Sequence, residues 1–218
     1  MMIVLALILL LVHTALFLSG GVDQHIEVYD ELGLSLLGLK SGKLWQCFSY
    51  ATLHGSWYHL GVNLILLVTI GGKVQGLFGR RVTFTVLCSS ILLGAIFHCV
   101  IEYFGRHAVG SLLIGISGGV MGLLIFLCFR MRDVRIFGGR LGLGYLAYGL
   151  LLSEAGLALM DPALGLPGFE QIGVGLSQLM GGSVFKIAHA CHFGGGLAGW
   201  LWARYGAFST WNEKAFGR

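Results

Sequence analysis

The stretch VGSLLIGISGGVMGLLIFLCFR, residues 109–130, decides how this chain folds. It is apolar from end to end and belongs in lipid, yet Ser117 stands in its middle, flanked by Gly115, Gly118 and Gly119. Only 13 residues separate Ser117 from the first charge, Arg130. At helical rise that is about 20 Å, short of a hydrocarbon core about 30 Å thick. Either the helix extends upward through Leu112 and Ile114, or it starts near Ser117 and the preceding chain enters as a loop. The glycines at 110, 115, 118 and 119 make a loop permissible. Irregular backbone at that depth is tolerated only where protein buries it or water reaches it, so a loop here implies a hydrated cavity.

The rest of the chain fits this reading. Of 218 residues, 56% are hydrophobic and 11% charged, and mean hydropathy is +0.83. Soluble domains carry roughly 25% charged residues, so an integral membrane protein with a single domain over residues 1–218 is expected. Apolar runs near the required length of about 20 residues occur six times: residues 2–20, 56–72, 82–104, 109–129, 141–160 and 184–205. The expected fold is an all-α, polytopic bundle of six transmembrane helices. The first run lacks a basic flank and a small-residue cleavage site, and is longer than a signal core; it reads as a retained helix.

Charge in the connections alternates. The outer loop 21–55 carries Asp23, Glu27, Asp30 and Glu31 against Lys40 and Lys43, whereas the next connection holds Lys73, Arg80 and Arg81. Glu102, Arg106 and His107 make a nearly neutral link, followed by the basic cluster Arg130, Arg132, Arg135 and Arg140. Asp161 and Glu170 lie in a loop without lysine or arginine, and Arg204, Lys214 and Arg218 close the chain, with a tail over 206–218. Basic loops face the cytoplasm, so both termini are expected there, in a cell's inner or plasma membrane, with helices two, four and six running inward. Trp45, Phe48 and Tyr50 suit the outer-leaflet interface. The net charge of +4 resides in short loops, which excludes a nucleic-acid partner and leaves the bilayer as the first partner. Five scattered cysteines without CxxC spacing imply packing residues rather than disulfides or a metal site, and no cofactor is expected.

Polar residues at depth are functional by default, and several share one layer. His192 is six residues past Lys186, about 9 Å down at helical rise. Ser117 is eight residues past Val109, about 12 Å if that stretch is helical. His59 and Asn63 are one turn apart on one face near the top of helix two. A serine hydroxyl needs a base within hydrogen-bond reach, and a helix starting at Ser117 would aim unpaired N–H groups, Gly118's included, at a developing oxyanion. No carboxylate lies at matching depth on helices two, four or six, which predicts a dyad. His189, one turn from His192 on the same face, is the competing base. Glu154, about 10 Å below Asp161 by helical rise, is either a packing residue or a border of the substrate entrance.

These pieces together resemble the rhomboid family of intramembrane serine proteases: His54-Gly55-Ser56-Trp57-Tyr58-His59 running into Asn63, Gly115-x-Ser117-Gly118, and His192-x-x-Gly195-x-x-x-Gly199, in family order over nearly the whole chain. The resemblance implies Ser117 as nucleophile, His192 as general base and acid, and His59 with Asn63 at the oxyanion hole. It favours His192 over His189, because Gly195 and Gly199 follow only His192 at family spacing and would let helix six pack against Gly118 and Gly122. It also implies transmembrane segments of other proteins as substrates, entering past helix five and cut near the outer face. Met121 departs from the family at a position where relatives often carry an aromatic supporting the imidazole, and Gln75 stands where many carry glutamate. The alternative reading is a non-catalytic rhomboid-like protein that binds membrane clients. A small transporter would call for inverted repeats, and the halves have no such symmetry.

Overall fold

The computed structural model describes residues 1–105, 112–135, 139, 141–182 and 184–206. Val109 and Gly110 at the expected head of span four, the loop residues Arg106, His107 and Arg140, and the tail beyond Gly206 lie outside the described residues. Among the described residues the fold is all-α, with two isolated β-bridges and no strand.

Helix α1 (Met2–Leu18) buries Met2, Ala6, Leu9 and His13, one stripe at three- and four-residue spacing. Its remaining faces, with Ile3, Leu7 and Leu11, are exposed and equally apolar, as expected of a helix facing hydrocarbon. Four short helices fill the loop 21–55: α2 (Gly21–Gln24), α3 (Ile26–Leu32), α4 (Leu36–Lys40) and α5 (Gln46–Ser49). Trp45 and Phe48 are exposed there, but Tyr50 is not an interfacial aromatic: it is fully buried and donates its hydroxyl to the Ile91 carbonyl at 2.8 Å. A buried phenol needs such a partner.

Helix α6 (Trp57–Leu66) is capped by Ser56, whose Oγ accepts the His59 N–H at 3.1 Å. A π-helical turn over Leu67–Gly71 leads into α7 (Gly72–Phe104). The second span therefore continues past Gly72 and ends at Gly79, whose φ of 85° and ψ of 167° break the helix. Such a conformation is open to glycine and strained for other residues. Glu102, expected in a link, is instead a buried helical residue whose carboxylate accepts the Leu36 N–H at 2.9 Å. Helix α8 (Ser117–Arg130) starts at Ser117 itself, so residues 112–116 enter as irregular chain. Helix α9 (Leu143–Met160) comes next. The connection expected as a loop contains α10 (Phe169–Met180), seated on the end of α9 at Gly173, where an added Cβ would lie 1.8 Å from the Met160 carbonyl oxygen. Helix α11 (His189–Tyr205) begins at His189 rather than at Val184.

The run Trp57–Phe104 and helix Leu143–Met160 are long and apolar enough to cross a membrane; Met2–Leu18 and Ser117–Arg130 are apolar but shorter. Contacts fix the helix directions. Met2 meets Gly71 and His13 meets Trp57, so α1 opposes α6. His59 meets Gly115 and Phe78 meets Phe126, so residues 57–78 run with α8. Gly94 meets Cys191 and Ser89 meets Trp202, so residues 80–104 oppose α11. Tyr148 meets Phe129 whereas Leu151 meets Gly196 and Glu154 meets His192, so α9 opposes both α8 and α11. Helices α8 and α11 run together at backbone contact: an added Cβ at Gly195 would lie 2.0 Å from the Gly118 oxygen, and one at Gly199 2.1 Å from that of Gly122. Small residues allow this approach. The core surrounds α8, which buries Leu123, Ile125 and Phe126 completely.

Candidate active site

The chain before α8 is irregular, and backbone groups of Leu113 and Gly115 are satisfied by the loop 21–55. Leu34 N–H donates to the Leu113 carbonyl at 3.0 Å, Leu113 N–H returns to Leu34 at 2.8 Å, and Gly115 N–H donates to the Tyr50 carbonyl at 2.9 Å. That meets the demand of a dry environment. Gly115 has φ +111°, and an added Cβ would lie 2.6 Å from His59 Cε1; both backbone and space require glycine. Helix α8 then starts abruptly, leaving Ser117 on its first turn, where N–H groups lack helical partners.

Ser117 Oγ lies 2.8 Å from His192 Nε2. The helix bearing His192 cannot shift outward without losing the Gly195–Gly118 contact one turn further on. On its other side, His192 Nδ1 faces Glu154 Oε1 of α9 at 3.4 Å. Glu154 Oε2 faces His189 Nδ1 at 2.6 Å, and His189 Nε2 reaches the Val184 carbonyl at 2.9 Å. Among the described residues α6, α8 and α11 carry no carboxylate; this one comes from α9. An unbroken contact series thus runs from Ser117 through His192 and Glu154 to His189, rather than stopping at two residues. His189 is anchored in that series, away from Ser117. Glu154, His189 and His192 also have ligand-capable atoms within 4.8 Å of one another, the arrangement a metal ion could use, and those atoms are engaged with each other here.

A cavity of about 600 Å³ opens onto Ser117 and His192. His59 and Asn63 line it from α6, Met121 from α8 and Lys186 from the chain before α11. Asn63 is 3% exposed, and its Nδ2 has no hydrogen-bond partner among the described residues. A buried amide donor left unpaired is costly, and this one sits in the wall of the cavity that holds Ser117. Gly118 packs against α11: an added Cβ would lie 2.6 Å from the Cys191 sulfur. Its position serves the close contact of α8 with α11.

Behind His59 lies a stack of rings that spacing alone did not predict. His54 meets His59 edge-on at 5.0 Å between centroids, and His13 meets Trp57 at 4.6 Å. His54 is fully buried, with the Thr52 backbone beside its ring. Burial first, then the neighbouring His59 and His13, hold its imidazole down at about 3, so the ring is neutral across the ordinary range. It packs edge-on against the His59 ring.

A hydroxyl, an imidazole and a buried amide line one cavity among long apolar helices, with a carboxylate behind the imidazole. The family model described as Rhomboid domain matches residues 41–207, and this chain belongs to the rhomboid family of membrane proteins. It is also 26% identical over 164 residues to presenilin-associated rhomboid-like protein A, mitochondrial, of Danio rerio, a match covering 74% of this chain. The chain spans only 37% of that relative's length.

Proposed function

We propose that this protein is an intramembrane serine endopeptidase that cleaves transmembrane segments of other proteins. The observation that carries the reading is the 2.8 Å contact between Ser117 Oγ and His192 Nε2 at the floor of a cavity lined by an unpartnered Asn63 amide. The six alternating helical passes α1, 57–78, 80–104, α8, α9 and α11 form the six-span bundle, with the start of α1 and the end of α11 on one side. Arg130, Arg132, Arg135 and Arg204 mark that side as cytoplasmic by their basic charge. Helix α8 has 14 residues, about 21 Å at helical rise, so its N-terminus and the cavity lie beneath the opposite surface.

In this mechanism a substrate segment enters the cavity with its helix locally unwound, because helical hydrogen bonding otherwise hides the scissile carbonyl. Ser117 Oγ bonds to the carbonyl carbon as its proton passes to His192 Nε2. The oxyanion is held by the Ser117 N–H, Asn63 Nδ2 and the His59 ring. The C–N bond then breaks, with His192 returning the proton to the leaving amine. Water in the cavity repeats the sequence on the acyl-enzyme and frees Ser117. A client-binding protein without catalysis has no use for a hydroxyl and an imidazole so paired.

The test is cleavage of a reporter transmembrane substrate by the purified protein in lipid vesicles. Ser117→Ala is expected to abolish cleavage while leaving the melting temperature in place. Cleavage by that variant at the wild-type rate would overturn the mechanism.

A further inference from the structure

We propose that Glu154 is the third member of the site, a positioning carboxylate that orients His192 and balances the charge it acquires. This rests on the serine-hydrolase reading above.

The geometry has three parts. First, an ionised carboxylate only accepts hydrogen bonds, so the 3.4 Å contact assigns the proton of neutral His192 to Nδ1, donating to Glu154 Oε1. That leaves Nε2 with its lone pair toward Ser117, 2.8 Å away, the tautomer a general base requires. Second, Glu154 is itself held. With the carboxylate ionised, both partners of His189, Glu154 Oε2 at 2.6 Å and the Val184 carbonyl at 2.9 Å, are acceptors. Both ring nitrogens of His189 therefore donate, which fixes the second oxygen of Glu154 and leaves the first to His192. Third, the carboxylate is sheltered, its side chain being 14% exposed, in a setting where charge is weakly screened.

When Ser117 Oγ attacks, its proton moves to His192 Nε2 and the ring becomes a cation with Glu154 beside Nδ1–H. The carboxylate keeps its electron pair and takes no proton; it stabilises the imidazolium by charge and holds the ring plane. When His192 gives the proton to the leaving amine, the first arrangement returns. Glu154 touches neither substrate nor the reacting bond, so its action passes entirely through His192.

The experiment compares wild type with Glu154→Gln, Glu154→Ala, His189→Ala, Ser117→Ala and His192→Ala in lipid vesicles, reading kcat and KM on a reporter substrate. Replacing the carboxylate of a serine-hydrolase triad by its amide can cost about 10⁴ in kcat. With the longer contact here, Glu154→Gln is expected to lower kcat by about a hundredfold, with KM little changed. His189→Ala, which loosens Glu154 without removing it, is expected to cost less than tenfold. ¹⁵N spectra of histidine-labelled protein supply a second readout: the Nδ1-protonated signature of His192 is expected in wild type and mixed tautomers in Glu154→Ala. If Glu154→Ala fails to fold, the near-isosteric Gln variant carries the kinetic comparison and its ring signals the spectroscopic one.

Loss of cleavage in Ser117→Ala and His192→Ala, with kcat of Glu154→Gln within twofold of wild type, overturns this inference and leaves the hydrolase reading standing. Equal losses in His189→Ala and Glu154→Gln, with unchanged His192 ring signals, reduce Glu154 to a tie between α9 and α11 and also overturn it. Undiminished cleavage by Ser117→Ala removes both readings together.

Discussion

A single methyl group at Gly195 should separate the two helices on which the proposed chemistry depends. The Cβ of Gly195→Ala would lie 2.0 Å from the Gly118 carbonyl oxygen and 2.7 Å from its carbon, whereas non-bonded atoms settle at about 3.5 Å or more. Both neighbours are backbone, so no side chain can swing aside and α11 must retreat by about 1.5 Å. Overpacking of this kind costs about 1–3 kcal/mol, or about 2–12 °C of melting temperature in a chain of this length. His192 lies one turn before Gly195 on the same helix face, so the retreat carries it along. Its 2.8 Å contact with Ser117 would open to about 4 Å, beyond hydrogen-bond reach. A misplacement of about 1 Å can cost about a hundredfold in rate, which sets the expected loss in kcat. The assay pairs reporter cleavage with thermal unfolding in detergent. Gly149→Ala is the control: nothing lies within 4 Å of an added Cβ there, and alanine in an open helical position is neutral or stabilising. If Gly195→Ala cleaves and melts like Gly149→Ala, the backbone contact does not set the site's geometry and the reasoning fails.

Two further outcomes follow from the same geometry. Asn63→Ala removes a donor waiting unpaired in the cavity wall, so kcat should drop by about 10²–10³ with KM nearly constant; an equal rise in KM would make Asn63 a substrate-binding residue instead. His54 is held down at about 3 in the folded protein against about 6.5 unfolded. As pH falls below about 6.5 the unfolded chain takes up a proton that the folded chain refuses, so stability declines toward about pH 3, by about 2 kcal/mol between pH 7 and 5. His54→Gln should flatten that decline in melting temperature, and an unchanged slope would assign it to other groups.

The parts of the fold that residue spacing could reveal are those tied to a helix end or to glycine. Ser117 has too few residues before Arg130 to sit anywhere but deep, and the glycines at 115, 195 and 199 mark where backbone must come close. The meeting of Ser117 with His192, and of both with His59 and Asn63, could be anticipated because all four are measured from ends on the same side. Glu154 could not be assigned this way. Its depth below Asp161 was readable, but rotation about α9 decides whether it faces lipid or His192, and α9 is apolar on every side. One cue lay in the chain: a carboxylate that deep is costly without a partner, and two histidines sit at comparable depth on the next long helix. Tyr50 resembles an interfacial aromatic until its hydroxyl finds the Ile91 carbonyl. The break at Gly79 falls inside the expected link between residues 72 and 82, whereas helix α10 is hidden because its short glycine-bearing sequence resembles a loop.

The most direct measurement is labelling of the intact protein in lipid by a fluorophosphonate, with the modified residue identified by mass spectrometry. The adduct is expected on Ser117, forming at a rate that collapses in His192→Ala although the serine is still present. An adduct elsewhere, or labelling of Ser117 at full rate without His192, would mean that the hydroxyl and the imidazole do not act as a pair.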